Sequence, residues 1–102
     1  VIRDHDGGSE VRSLDYSAHP EAERFMHEIL DDERAASGLR VAAVHRIGSL
    51  EIGDVALVAA VSAAHRGEAF VAIERLVERI KHEVPIWKRQ HFTSGSSEWV
   101  GL

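Results

Sequence analysis

Two lysines flank a helix-breaking proline in the stretch IKHEVPIWKRQ, residues 80–90. Because proline cannot continue an α-helix, the stretch predicts a helix that carries Lys81 and stops at Pro85, followed by an extended segment. Successive side chains of an extended segment point to opposite faces, so Lys88 is expected on one face and Arg89 on the other. A lysine close to other cations can act as an amine nucleophile or a general acid/base near neutral pH.

Each of these lysines also has a structural interpretation. Lys81 suits the last turn of a helix, where a cation interacts favourably with the helix dipole. Lys88 suits the edge of a sheet, where a charge deters aggregation. Taken singly, each lysine fits the structural interpretation better. Their position on either side of one corner is what favours a shared function in binding an anion.

A histidine and an arginine mark the junction between an apolar run and a second predicted helix, in SAAHRG at residues 62–67. The start of a helix presents unpaired N–H groups and a partial positive charge, which together favour anions. His65 and Arg66 add donors at the same point, and such strand-to-helix junctions often hold ligands. The alternative is that this polar pair only marks the start of the helix.

Metal-binding residue types occur together in RDHD, residues 3–6. These residues are adjacent in sequence rather than on one face of an element, and the histidines elsewhere form no i, i+4 pair on a helix face. Cysteine is absent, which excludes disulfides, thiolate metal sites and a cysteine nucleophile. We therefore expect no metal site.

Composition predicts one globular domain over residues 1–102. No apolar run approaches the roughly 20 residues that span a bilayer, and the first residues lack a signal peptide, so a cytoplasmic location without membrane contact is expected. The net charge of −5 argues against nucleic-acid binding. Because Val1 is not an initiator Met and reads as the end of a strand, we expect further residues to precede it.

Periodicity and turn signals predict the elements that position these residues. Apolar stripes predict one helix between Pro20 and Gly38 and another over about residues 67–83. Strands are predicted at residues 11–16, 39–46, 49–52, 54–62, 87–92 and 98–100. The apolar strand at 54–62 is expected to be central and covered on both faces. The order indicates an α+β sandwich, ferredoxin-like in outline, with a mostly antiparallel sheet and two main helices.

Seven segments, in order along nearly the whole chain, resemble the large, catalytic subunit of molybdopterin synthase, the MoaE family. They are RDHDGG, SAHP, HRIG, IGD, VSAAHRGEAF, IKHEVPIWKRQ and WVGL. The resemblance implies an α/β hammerhead-type fold and a sulfurtransferase that converts cyclic pyranopterin monophosphate into molybdopterin by installing two dithiolene sulfurs. It also implies a small ubiquitin-like subunit that delivers each sulfur as a C-terminal thiocarboxylate. The implied assembly is a homodimer of large subunits within a heterotetramer.

The family's motifs fall on six basic residues of this sequence. They are the catalytic pair Lys81 and Lys88, and the substrate-binding Arg3, His65, Arg66 and Arg89, the last in an assisting role. No cofactor is implied, because the partner subunit supplies the sulfur, and a chain without cysteine cannot carry it. Gln90 and Ala63 depart from the family's usual acidic residue and serine. The family's C-terminal stretch also contributes to the pocket, so part of the site is expected beyond Leu102.

An alternative from another class is a non-catalytic ferredoxin-like module that binds a small anionic metabolite. Such a module would need no thiocarboxylated partner and would bind the pterin without forming product. A subtler alternative is a degenerate subunit that keeps the fold and the dimer interface but is inactive. Retention of the five positions Arg3, His65, Arg66, Lys81 and Lys88 argues against it.

Overall fold

The protein is described by a computed structural model that covers residues 1–6 and 9–101. The elements in chain order are β1 (His5–Asp6), β2 (Ser9–Ala18), α1 (Ala22–Ser37), β3 (Arg40–His45), β4 (Gly48–Glu51), β5 (Leu57–Ser62), α2 (Arg66–Glu83), β6 (Ile86–Phe92) and β7 (Ser97–Gly101). The described residues thus combine two helices with sheet that is mostly antiparallel, which confirms the predicted α+β class.

The chain divides into two compact units. The first contains Val1–His19, His45–Leu57 and Ile86–Leu102, and the second contains Pro20–Val44 and Val58–Pro85. The first therefore holds most of the sheet, and the second holds both helices. The expectation of one domain over residues 1–102 stays a prediction.

An antiparallel sheet of five strands forms the first unit. Its order is β1-β2-β6-β7, with β4 also paired to the ten-residue β2. Tyr16 of β2 lies opposite Lys88 of β6, and Asp15 lies opposite Arg89. Because directly opposed residues of antiparallel strands share a face, this register decides which side chains surround Lys88. The core of this unit includes Leu14, Tyr16, Leu50, Ile86 and Phe92.

Helices α1 and α2 of the second unit end where the sequence predicts. Gly38 follows α1 with a φ of 71°, and its N–H donates to Arg34 O at 2.8 Å. Glycine adopts this left-handed conformation without strain, which explains the stop. Val84 closes α2 by donating to Ile80 O at 3.2 Å, one residue before Pro85. Neither described helix is long and apolar enough to cross a membrane.

The expectation that the apolar strand at 54–62 is covered on both faces is wrong. β5 begins at Leu57 and, in the described part of the chain, pairs with β3 in a sheet of two strands. Its exposure alternates, with Val58 57% exposed. The run of Val and Ala residues hid this alternation, because both faces of β5 carry small apolar side chains.

A buried carboxylate links the two helices. Glu33 of α1 is 4% exposed, accepts a hydrogen bond from Arg75 Nε at 2.8 Å and another from Arg79 Nη1 at 3.2 Å. Arg79 also binds Glu83 near the end of α2 at 2.7 Å. A buried charge is stable only when it is paired, so this cluster fixes how α2 packs on α1.

Candidate functional site

Strand β6 presents Lys88 and Arg89 to opposite faces. Ile86 and Gln90 are buried, Lys88 is half-buried, and Trp87 and Arg89 are exposed. This alternation confirms the facing expected from the extended segment after Pro85. Lys88 therefore points to the more covered face of the sheet.

Apolar side chains flank Lys88 on both neighbouring strands. Tyr16 of β2 and Val100 of β7 are its directly opposed partners. Directly opposed residues of antiparallel strands have Cβ atoms about 5 Å apart, so these two side chains border the lysine stem. Ile86 is the next residue on the same face of β6. The lysine stem therefore lies among largely apolar side chains.

A carboxylate diagonal to Lys88 on the neighbouring strand is bound by another residue. Glu98 of β7 is opposite Gln90, which places it diagonally from Lys88 on the same face. Gln90 is 2% exposed, and its Nε2 donates to Glu98 Oε1 at 2.9 Å. Among the side chains that the structure describes, Lys88 has neither an ion pair nor a hydrogen-bond partner. Its positive charge remains available to an incoming anion.

Lys81 lies in the last turn of α2, exposed and without an ion pair among the described residues. The carboxylates nearby on the helix already have partners. His82 Nε2 lies 3.2 Å from Glu78 Oε2, and Arg79 donates to both oxygens of Glu83. The hydrogen bond from Arg79 holds the pKa of Glu83 below its usual range. Lys81 is therefore the free cation at this end of the helix, within the described residues.

His65 and Arg66 meet at the start of α2, as the sequence predicts. His65 is the residue before the helix, with an extended backbone and no side-chain cap, and Arg66 is the first helical residue. Both side chains are exposed. The first N–H groups of a helix have no intrahelical acceptor, so this end can bind an anion with backbone and side-chain donors together.

Arg66 and Lys81 stand at opposite ends of α2. Fifteen residues separate them, and a rise of 1.5 Å per residue places them about 22 Å apart along the helix axis. Two side chains at that separation cannot bind the same phosphate or carboxylate within one chain. The second unit therefore carries two separate cationic positions rather than one cluster.

Arg3 is exposed at the start of the first unit and has no hydrogen bond or ion pair among the described residues. The backbone beside it is fixed, because Ile2 N–H donates to Asp54 O at 2.9 Å and Gly53 N–H donates to Ile2 O at 3.1 Å. Arg3 therefore projects from an anchored segment. The RDHD segment considered above as a metal motif includes His5 and Asp6, whose side chains lie outside what the structure describes.

Arg89 is held on the face opposite to Lys88. Its Nε and Nη2 donate to Ser97 Oγ at 3.2 and 3.1 Å, and its guanidinium lies 5.7 Å from the centroid of the Trp99 ring. Trp87 and Trp99 line an apolar groove of about 340 Å³. Arg89 does not share the surroundings of Lys88, and its assisting role in substrate binding stays a prediction.

The sequence motifs do not point to Tyr16, which lies opposite Lys88, or to His45, which contacts Tyr16. Tyr16 is 8% exposed, and burial raises its pKa. His45 packs its ring edge-on against Tyr16, with centroids 4.9 Å apart. The alternation of residues 11–16 places Tyr16 on the apolar face of its strand, but only the register with β6 places it beside Lys88.

Comparisons with known proteins agree with these motifs. The family model described as MoaE protein matches residues 1–83. The molybdopterin synthase catalytic subunit 1 of Mycobacterium tuberculosis is 47% identical over 102 residues, which cover 98% of this chain and 69% of that protein. The chain spans about two thirds of the length of the curated relatives it matches.

Solved structures show the same fold. The X-ray crystal structure of molybdopterin synthase from Staphylococcus aureus superposes with a TM-score of 0.89 at 39% identity, covering 99% of this chain and 74% of that one. A protein–protein complex of subunits 1 and 2 of molybdopterin-converting factor from Helicobacter pylori gives a TM-score of 0.74 at 18% identity, covering 99% and 65%. The second likeness shows the fold alone. From the family match and the identity to curated relatives, the chain belongs to the MoaE family, the family of molybdopterin synthase catalytic subunits.

Proposed function

We propose that this chain acts as a sulfurtransferase, the catalytic subunit of molybdopterin synthase. In this reaction a small ubiquitin-like partner delivers sulfur as its C-terminal thiocarboxylate, and cyclic pyranopterin monophosphate receives it to form the dithiolene of molybdopterin. The observation that carries the proposal is the environment of Lys88. This half-buried lysine lies between Tyr16 and Val100 and has no carboxylate partner among the described residues. The names of the relatives support the same activity.

The distribution of paired and unpaired cations supports anionic ligands. Four arginines of the helices are neutralised by carboxylates, namely Arg24, Arg34, Arg75 and Arg79. The predicted site residues Arg3, Arg66, Lys81 and Lys88 have no such partner in the described part of the chain, and neither do Arg12, Arg40 and Arg46 outside the predicted site. The substrate carries a cyclic phosphate and the partner's tail carries a thiocarboxylate, so cations left unpaired by the fold suit both ligands.

The two lysines are assigned different parts of the reaction. We place Lys81 nearest the terminal carbonyl of the partner's tail, where its ammonium stabilises the acyl oxygen or its amine traps the acyl group. Lys88 assists proton transfer at the pterin side chain. Arg3, His65 and Arg66 bind the anionic pterin. The proposal needs no cofactor, because the sulfur comes from the partner, and it places the reaction in the cytoplasm.

The proposed assembly is a homodimer with one small subunit at each end. Arg66 and Lys81 lie about 22 Å apart along α2, and a dimer allows a site to combine such residues from two protomers. In a two-fold dimer the start of α2 of one protomer can meet a lysine of the other.

The test is dithiolene formation by purified Lys81→Ala and Lys88→Ala variants, supplied with thiocarboxylated small subunit and cyclic pyranopterin monophosphate. Each variant should lose on the order of a hundredfold or more in rate, because a positioned acid, base or nucleophile contributes that much. Arg46→Ala, an exposed cation outside the proposed site, should react normally. Near-normal rates in both lysine variants would contradict the proposal. Pterin binding without product in the wild type would support the non-catalytic module instead.

A further inference from the structure

We propose that Tyr16, restrained by His45, is a positioning residue that aligns the amine of Lys88. This inference rests on the function proposed for Lys88 and adds two residues to it. In the register of β2 and β6, Tyr16 and Lys88 are direct partners. Their side chains share the covered face of the sheet, where Tyr16 is 8% exposed.

The direct partners of Tyr16 on its two flanking strands are Lys88 of β6 and Gly48 of β4. Gly48 has a φ of 103°, and a Cβ built on it would meet nothing within 4 Å. Directly opposite the ring, β4 therefore offers no side chain, and Leu50 lies diagonal to it. A further contact, from outside these strands, restrains the ring.

His45 supplies that restraint. Its ring meets the Tyr16 ring edge-on, with centroids 4.9 Å apart and an interplanar angle of 72°. This is a preferred arrangement for two aromatic rings. Nδ1 of His45 lies 2.6 Å from the carbonyl oxygen of Arg46, so it donates a hydrogen bond that fixes the imidazole. An oriented histidine thus holds an oriented tyrosine beside the lysine.

The contribution of Tyr16 comes from its ring rather than from a negative charge. Burial raises the pKa of the phenol, so it stays neutral wherever Lys88 is charged or reactive near neutral pH. A long lysine stem packs along an apolar or aromatic surface while its amine extends to the polar end. Val100 lies on the other side of Lys88. The lysine stem is therefore confined before any ligand arrives, so the side chain loses less conformational entropy in the reaction.

Two substitutions separate the ring from the hydroxyl. Tyr16→Phe keeps the ring and should leave dithiolene formation close to normal. Tyr16→Leu keeps an apolar residue of strand type but removes the ring, and should lower kcat on the order of tenfold with KM little changed, because misplacement of a reacting group affects the reaction more than binding. Both variants are assayed with the small subunit present, after thermal melting shows that they are folded.

Amine labelling provides a readout that does not depend on activity. The sequence contains only two lysines, Lys81 and Lys88, so acetylation with limiting reagent followed by peptide mass mapping resolves each amine. Tyr16→Leu should change the rate and pH profile of labelling at Lys88 by severalfold and leave Lys81 as in the wild type. General unfolding would change both lysines alike. Tyr16→Phe should restore the wild-type profile at Lys88.

The outcomes distinguish this inference from the proposed function. Unchanged labelling of Lys88 and unchanged kcat in Tyr16→Leu would overturn the positioning role, and so would a Tyr16→Phe variant as impaired as Tyr16→Leu. If Lys81→Ala and Lys88→Ala both prove fully active, the proposed function fails, while the labelling result still decides the positioning. Should Tyr16→Leu not fold, His45→Leu removes the edge contact without altering β2, and it must shift Lys88 labelling in the same direction for the inference to stand.

Discussion

At the scale of single residues, the described carboxylates Glu33 and Glu98 differ from the two lysines in having side-chain partners. Glu33 and Glu98 each hold a partner, whereas Lys81 and Lys88 hold none among the described residues. Gln90 engages, through its amide, a carboxylate that is diagonal to Lys88.

The hydrogen-bonded pair of Asp15 and His91 allows a prediction of how the stability of the protein depends on pH. His91 Nε2 lies 2.5 Å from Asp15 Oδ2 on the outer face of the sheet. This hydrogen bond is the main cause of an Asp15 pKa below the ordinary 3.8, with burial opposing it. Because the pKa of Asp15 is lower in the folded than in the unfolded protein, the ionised carboxyl stabilises the fold at pH values above the unfolded pKa. That stabilisation is lost as the pH falls through the folded pKa.

We expect Asp15→Asn to lower the free energy of unfolding by about 0.5 kcal/mol at neutral pH, since the carboxyl is partly exposed and solvent screens it. The difference from wild type should shrink below pH 3.8 and vanish in stronger acid. Urea denaturation across this range measures it. Asp31→Asn, which breaks an exposed pair on α1, serves as the control. A difference that grows toward low pH would show that the Asp15–His91 bond is not its source.

At the scale of elements, the sequence predicts more of the helices than of the sheet. The apolar stripes, Gly38 and Pro85 locate both helix ends, because these signals act within a few residues. The pairing of Tyr16 with Lys88 joins positions 72 residues apart, and no local pattern encodes that register. The sheet also divides in two, so the apolar run of β5 could not reveal its single partner strand.

The contact between helices gives a prediction at this scale. Glu33→Gln keeps the shape of the buried side chain but removes the charge that Arg75 and Arg79 share. We expect a loss of roughly 1.5–3 kcal/mol in unfolding free energy, the usual value for hydrogen bonds to a charged group. Glu28→Gln breaks an ion pair with the exposed Arg24 and should cost much less, because solvent screens that pair. Urea midpoints compare the two, and equal losses would contradict the role of burial.

At the scale of the whole molecule, the predicted site residues divide between the two units. Three of the predicted site residues lie in the first unit, namely Arg3, Lys88 and Arg89. The other three lie in the second unit, namely His65, Arg66 and Lys81. Sequence motifs identify these residues, but they do not say which protomer supplies each one. A shared site in a dimer is a consequence of the proposed assembly that can be measured.

Mixing two inactive variants tests this sharing. If the proposed site combines Lys81 of one protomer with Arg66 of its partner, refolding Arg66→Ala together with Lys81→Ala restores one intact site in each mixed dimer. Random association should then recover about a quarter of the wild-type sites. Dithiolene formation measures the recovery, and each variant refolded alone is the control. Activity no higher than that of the controls would place both residues in sites made by a single chain.

Helix α2 also limits how such proteins can vary in length. It fixes both the spacing and the angular phase between Arg66 and Lys81, because each residue adds 1.5 Å and turns the helix by about 100°. One residue inserted between them would swing Lys81 more than a quarter of a turn around the axis. Only changes close to whole turns, such as seven residues, would keep its direction while moving it about 10 Å. The segment between the two cations should therefore tolerate substitution far better than insertion or deletion.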